Sequence, residues 1–336
     1  MTKVAVLGAG SWGTALANTM AKNNVVVNIW SHRVDQVDEI NQRHQNDHYL
    51  PGATLSEKLL AVADMQVAVA DADVVLMVVP TKAIRSVGSQ LAEVLQNLDQ
   101  QVILAHATKG LEQGTHLRIS QMIEEVVPSE NYSSLAVISG PSHAEDVIKG
   151  DLTAVSIGGT DEAATAVLQK TLASENFRPY TNHDLLGSEL GGALKNIIAL
   201  GSGMLVGLGY GVNAQAALLT RGLVEMRSVG QKMGAKPETF LGLAGIGDLI
   251  VTGMSPNSRN YRAGFAMGHG QSLNQVQEEM GMVIEGVNTV KAVYEYQQTH
   301  QLDLPITTAL YQVLYEEAQI EDQIKLLMTR PLKAED

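Results

Sequence analysis

The first half of the chain alternates short apolar, β-branched runs with amphipathic stretches. Val4–Leu7, Val25–Trp30, Val74–Val79, Val102–Ala107, Leu135–Ser139, Ala154–Ile157 and Phe177–Tyr180 predict strands. Between them, Thr14–Lys22, Lys82–Leu95, His116–Glu125 and Glu162–Leu172 carry helical spacing. Strands that are apolar nearly throughout belong to a parallel sheet covered on both faces. Near Asn182 the pattern changes, and only helical periodicity follows. This predicts an α/β domain over residues 1–185 and an all-helical domain over residues 186–336. Gly201, Gly203, Gly207, Gly209 and Gly211 predict breaks or tightening in the first long helices of the second domain. The most apolar stretch, Leu190–Leu219, is interrupted by these glycines and by Lys195, Asn196, Asn213 and Gln215, which favours buried helices over a membrane span.

The turn after the first strand reads Gly8-Ala9-Gly10-Ser11-Trp12-Gly13. A G-x-G-x-x-G between a strand and a helix fits a dinucleotide. The first glycine makes the tight turn, the second lets backbone approach the pyrophosphate, and the third lets helix pack on strand. The helix N-terminus then offers N–H groups to the phosphates. The first domain is therefore expected to be of Rossmann type. An acid at the end of the second strand would hold the ribose 2′-OH of NAD, but this chain has Trp30-Ser31-His32-Arg33. Arg33, with donors from Ser31 and His32, suits a 2′-phosphate, so NADP(H) is the preferred expectation, with NAD(H) possible.

A length of 336 residues agrees with two domains. The net charge of −13 argues against nucleic acid and against stable association with an anionic membrane, while leaving room for a small anionic substrate. The absence of cysteine excludes disulfides, thiolate metal sites and cysteine nucleophiles. The histidines show no metal-binding spacing, so no metal is expected. No Gly-x-Ser-x-Gly elbow accompanies a serine-hydrolase order. The apolar run at the N-terminus stops at a glycine turn and reads as a first strand, not a signal peptide.

Lys195 stands in Glu189-Leu190-Gly191-Gly192-Ala193-Leu194-Lys195-Asn196, and the next formal charge is Arg221. A buried ammonium there either loses its charge or faces polar groups. A lysine of lowered pKa can take the proton of a secondary alcohol, while Asn196 fixes a substrate oxygen. The alternative is a lysine snorkelling to solvent. Ala107-Thr108-Lys109-Gly110 and Ser139-Gly140-Pro141-Ser142 each follow a strand, where open α/β sheets bind ligands, although ordinary turn chemistry explains them equally. Asp248, within Gly245-Ile246-Gly247-Asp248-Leu249, could hold substrate hydroxyls, orient Lys195 or cap a helix. Ser258-Arg259-Asn260 suits a phosphate or a solvent-exposed loop.

These motifs, together with Gly13-Thr14-Ala15, Lys109-Gly110-Leu111-Glu112, Leu243-Ala244-Gly245, Glu285-Gly286-Val287 and Leu327-Met328-Thr329-Arg330-Pro331-Leu332-Lys333, resemble bacterial NAD(P)-dependent glycerol-3-phosphate dehydrogenases over essentially the whole length. Thr252-Gly253-Met254-Ser255 departs from that family's more polar segment. The resemblance implies that Lys195 is the proton acceptor and that Lys109 contacts both cofactor and substrate. It implies that Gly140, Ser142, Lys195, Asn196, Asp248, Ser258, Arg259 and Asn260 form the substrate site. Gly8, Gly10, Ser11, Trp12, Gly13, His32, Arg33, Tyr49, Lys109, Ala144, Arg259, Val283 and Glu285 would contact the dinucleotide. The implied reaction interconverts sn-glycerol 3-phosphate and dihydroxyacetone phosphate in the cytoplasm and supplies the phospholipid backbone. A homodimer is expected from the apolar helical domain. Two other readings remain open: a β-hydroxyacid dehydrogenase of similar plan, and a non-catalytic sensor of NADP(H).

Overall fold

The computed structural model describes residues 1–281, 283–332 and 334; Lys333 of the closing motif lies outside them. Eight strands form one sheet: β1 Lys3–Leu7, β2 Val26–Trp30, β3 Leu59–Val62, β4 Val74–Met77, β5 Val102–His106, β6 Tyr132–Ser139, β7 Thr153–Gly159 and β8 Phe177–Asn182. The strand order is β3-β2-β1-β4-β5-β6-β7-β8. All neighbours are parallel except β6 and β7, which pair antiparallel. The intervening helices are α1 Ser11–Lys22, α2 Val34–Arg43, α3 Met65–Val69, α4 Ile84–Leu98, α5 Ile119–Val126, α6 Ala144–Val147 and α7 Glu162–Leu172. Alternation along each strand feeds two cores. Val4, Val6, Val74 and Leu76 pack on one face with Leu16 and Met20 of α1. Ala5, Leu7, Val75 and Met77 pack on the other with Leu91 and Leu95 of α4. Burial on both faces is what the near-continuous apolar runs demand.

Two sequence expectations are corrected here. The edge strand β3, Leu-Leu-Ala-Val, has no counterpart among the predicted strands. It is four residues long and alternates buried with exposed positions, too short a pattern to separate from a loop. The helix expected from His116 starts at Ile119. His116 has a left-handed backbone (φ 59°), and Arg118 still bridges to Leu111 before it caps the helix.

The chain divides into two compact units, Met1–Glu189 with Gly242–Ala244, and Leu190–Leu241 with Gly245–Asp336. The second is helical among its described residues: most of α8 (Leu185–Gly207), then α9 Val212–Met233, α10 Asp248–Gly253, α11 Arg259–Gly268, α12 Leu273–Met280, α13 Glu285–His300, α14 Pro305–Tyr315 and α15 Ile320–Met328. The glycines of α8 do not break it. A Cβ on Gly203 would lie 2.0 Å from the Tyr261 carbonyl oxygen, and one on Gly264 would lie 1.9 Å from the Leu200 carbonyl oxygen. They exist to let α8 and α11 touch backbone to backbone. The chain turns only at Gly209, with φ +86°, and at Gly211, which precedes α9. The apolar α8 is mostly buried within the protein.

Candidate functional site

In the first unit the β1–α1 turn lies where the strand order reverses, between β1 and β4. Gly8 has φ +117°, and a Cβ there would meet the Val78 carbonyl oxygen at 2.5 Å. A Cβ on Gly13 would sit 1.9 Å from the Gly8 carbonyl oxygen. Around Gly10, by contrast, an added Cβ would find nothing within 4 Å. Gly10 caps α1 without a side-chain bond. The Ala9 carbonyl is drawn inward by two buried amides, Gln36 Nε2 at 2.6 Å and Asn46 Nδ2 at 3.0 Å. Asn46 also donates to Thr14 Oγ1 at 2.8 Å, and Gln36 donates to Asn46 Oδ1 at 3.0 Å. With its carbonyl held inside, the turn directs its open side and the N–H groups of α1 toward an anion, so the residues present fit a dinucleotide pyrophosphate. Ser11 donates to the Tyr49 carbonyl at 3.0 Å, closing the Asn46–Tyr49 turn onto the loop.

Beyond the carboxyl end of β2, Arg33 is half-exposed and pairs with Asp35. Ser31 is buried: its hydroxyl donates to Gln36 Oε1 at 2.6 Å and accepts from the Arg33 N–H at 3.1 Å. The expectation that Ser31 donates to a 2′-phosphate is thus corrected, because its proton is committed to the loop scaffold. Beyond β5 and β6, Lys109 Nζ and Ser142 Oγ both donate to the Gly140 carbonyl, at 3.1 and 2.9 Å. Gly140 itself has φ +132°. Ala144 opens α6 and is buried.

In the second unit Lys195 is only 5% exposed, Asp248 1% and Thr252 5%. Lys195 Nζ donates to Asp248 Oδ1 and, at 2.6 Å, to Thr252 Oγ1. The snorkelling alternative therefore fails: the ammonium faces polar groups in the interior. Asp248 is the first residue of α10, directly after a π-helical turn at Leu243–Gly247. A helix with wider turns there changes the face on which the next residue emerges. The Asp248 side chain goes to the lysine. Asn196 accepts from Asn260 Nδ2 at 2.9 Å, and Asn260 Oδ1 accepts from the Gly286 N–H at 2.8 Å. Ser258 caps α11, accepting from the Tyr261 N–H at 3.3 Å, and Arg259 is the first residue of that helix. Burial pushes the Glu285 carboxyl up, and the charge of Arg259 opposes that shift. Val283 is exposed.

Sequence profiles described as the N-terminus and C-terminus of NAD-dependent glycerol-3-phosphate dehydrogenase match residues 3–165 and 184–325. The chain belongs to the NAD-dependent glycerol-3-phosphate dehydrogenase family. A relative named glycerol-3-phosphate dehydrogenase [NAD(P)+] from Leuconostoc citreum is 66% identical over 336 residues, covering 100% of this chain and 99% of its own. One of the same name from Limosilactobacillus fermentum is 53% identical, with 100% and 99% covered. The crystal structure of a glycerol-3-phosphate dehydrogenase from Coxiella burnetii superposes with a TM-score of 0.88 at 36% identity, covering 98% of this chain and 99% of that one. NAD(P)-dependent oxidoreduction of glycerol 3-phosphate is accordingly the activity of this family member, with NAD or NADP as cofactor.

The fold of this glycerol-3-phosphate dehydrogenase brings together Lys109, Gly140 and Ser142, then Lys195 with Asp248, and separately Asn196 with Asn260. Three residues escaped the sequence reading. Thr252 stood only in a segment noted for its departure from the family. Its signal is the spacing to Asp248, one helical turn that puts both on one face of α10. Gln36 and Asn46 gave no signal, because amides in a polar stretch read as surface.

Proposed function

We propose that the chain interconverts sn-glycerol 3-phosphate and dihydroxyacetone phosphate with Lys195 as the group that exchanges the proton of the C2 oxygen. The observation that carries this is the buried Lys195–Asp248–Thr252 cluster. A bound nicotinamide supplies the hydride exchange. Lys195 Nζ accepts the hydroxyl proton in oxidation and returns it to the carbonyl oxygen in reduction. Asp248 balances the ammonium charge that the accepted proton creates, and Thr252 fixes Nζ in direction. Asn196 donates to a substrate oxygen, while Arg259, with Ser258 and Asn260 beside it, holds the phosphate. In the first unit, Lys109, Gly140 and Ser142 border the substrate. The turn from Gly8 to Gly13, with Trp12, His32, Arg33, Tyr49 and Ala144, holds the dinucleotide, which Val283 and Glu285 also contact.

Arg33 favours NADP(H), and NAD(H) is accepted as the second cofactor. The acidic charge and the buried α8 support a cytoplasmic enzyme without stable membrane association that makes glycerol 3-phosphate for phospholipids. Exposed Leu241, Ile250 and Met254 support a homodimer. The test is oxidation of NADPH and of NADH, at matched concentrations, with dihydroxyacetone phosphate as the acceptor. Turnover favouring NADPH is the expected result. Equal or better turnover with NADH refutes the role of Arg33. No turnover by protein that binds cofactor refutes the substrate assignment.

A further inference from the structure

Within the first unit, the segment that carries Lys109 is an excursion whose two ends meet on one buried carboxylate. It leaves the sheet after His106, the last residue of β5, and returns at Arg118, which precedes α5. Glu189, near the start of α8, touches both ends. His106 Nε2 lies 3.1 Å from Glu189 Oε1. On the other side Arg118 Nη1 donates to Oε2, and the Ser120 N–H and hydroxyl donate to Oε1 and Oε2, both at 2.7 Å. Arg118 also donates to Ser120 Oγ at 2.6 Å, which joins these donors to one another. His106, Ser120 and Glu189 are all buried, so the contacts are sheltered from water.

Between those ends run residues 107–117. The Leu111–Arg118 bridge and the bond from the Glu112 N–H to the Leu117 carbonyl, 2.9 Å, make a neck. Arg85 of α4 grips that neck, with Nη2 donating to Glu112 Oε2 at 2.8 Å. Lys109 lies between His106 and the neck, next to Gly110, whose φ of +135° turns the chain. Thr108 Oγ1 donates to the Val79 carbonyl at 2.7 Å, and Lys109 Nζ reaches the Gly140 carbonyl at 3.1 Å. A loop fastened at its base has fewer conformations to lose when one of its side chains is held for a ligand.

We propose that Glu189 is a positioning residue: with His106 and Arg118 it clasps the base of the 107–117 loop and so sets where the Lys109 ammonium stands. This rests on the reading above that Lys109 borders the substrate. A carboxylate suits the task because both of its oxygens accept, one beside His106 and the other on Arg118, with Ser120 donating to each. A glutamine keeps one accepting oxygen and turns an NH2 group on the donors of the other. Arg85 holds the neck independently, so opening the clasp loosens Lys109 without dissolving the loop. Glu189 shares α8 with Lys195. A general disturbance of that helix therefore has its own signature, a loss of kcat, while a displaced Lys109 weakens the binding of substrate and raises KM.

The test is a double-mutant cycle of Glu189→Gln with Lys109→Ala, reading kcat and KM for dihydroxyacetone phosphate at saturating NADPH, together with hydrogen exchange of the backbone amides of residues 107–117. Glu189→Gln should raise KM about tenfold in the parent chain with kcat nearly kept, and should leave KM unchanged in the Lys109→Ala background. Its amides in 107–117 should exchange faster than in the parent, by a larger factor than those of the other loops. A KM raised by the same factor in both backgrounds overturns action through Lys109. A fall in kcat with KM unaltered places the effect on α8 and also overturns the proposal, as does a fall in Tm alone. Lys109→Ala with unaltered KM overturns instead the underlying reading of Lys109, and the exchange measurement then decides the clasp by itself: unchanged exchange over 107–117 in Glu189→Gln refutes it. Should Glu189→Gln fail to fold, Arg118→Gln opens the same clasp while leaving Ser120 on Glu189, and a KM raised in the parent but not in the Lys109→Ala background remains the required result.

Discussion

Lys195 is the first formal charge after Glu189, and its Nζ ends on Asp248 and Thr252. An ammonium removed from water is tolerable only with such partners, and removing one partner of a buried pair costs far more than the pair itself contributes. Asp248→Asn should therefore lower kcat by about 10²-fold or more while leaving NADPH binding intact, measured by turnover and by fluorescence titration. At the other end of the chemistry, Arg33 is held by Asp35 on an exposed surface. On the NADP(H) reading proposed above, Asp35 competes with the 2′-phosphate for the same guanidinium. Arg33→Ser should raise the KM for NADPH about tenfold with little change for NADH, and Asp35→Asn should move the preference the other way. Lysine could be singled out because one charge among apolar neighbours is a physical anomaly. Asp248 was legible only as one of three roles, since nothing local says that a π turn rotates it toward α8. Gln36 and Asn46 were not legible at all: their function is to hold a backbone carbonyl, and no pattern of residue types marks that.

Helices and strands carry a second level of argument. Two buried glutamates join elements by capping helix N-termini, with opposite consequences for pH. Glu189 on α8 accepts from the Ser120 N–H and hydroxyl, both at 2.7 Å, and from Arg118; His106 Nε2 lies 3.1 Å away. Burial alone would raise its carboxyl, but His106, Arg118 and Ser120 together hold it below the ordinary value of 4.5. Its stabilisation is present above that value and is lost as pH falls. Glu189→Gln should lose about 3–5 kcal/mol near neutrality, read by denaturant unfolding. Glu225 on α9 accepts from the Ile306 and Thr307 N–H groups at the start of α14, at 2.6 and 3.0 Å. Burial outweighs those donors and pushes its carboxyl from 4.5 to about 7. The folded state then holds a proton that the unfolded state releases, so stability is greatest below 4.5 and declines as pH rises through about 7. Tm of the parent chain should fall over that interval, and Glu225→Gln should flatten the slope. Element positions were legible wherever apolar runs were long. Of the two readings of the α8 glycines, breaks or tightening, no break occurs within the helix, because a glycine's local cost says nothing of the backbone contact that offsets it across α11.

Over the whole molecule, the division into α/β and helical units could be read from the change in period near Asn182, which is a collective property of many residues. The chain carries 36 Asp and Glu against 23 Lys and Arg; on the reading proposed above, a few placed cations hold the small phosphates against that acidic background. Family membership gives the activity, and the reading proposed above divides its parts: backbone N–H groups for the dinucleotide, Arg259 for the phosphate and Lys195 for the proton. The last of these is the claim on which the mechanism turns. Its most direct test is reduction of dihydroxyacetone phosphate by the Lys195→Ala variant, with NADPH affinity measured on the same preparation. The account predicts turnover lowered by about 10²–10⁴-fold with NADPH affinity unchanged. Near-normal turnover in that variant would contradict it and move the proton to another group.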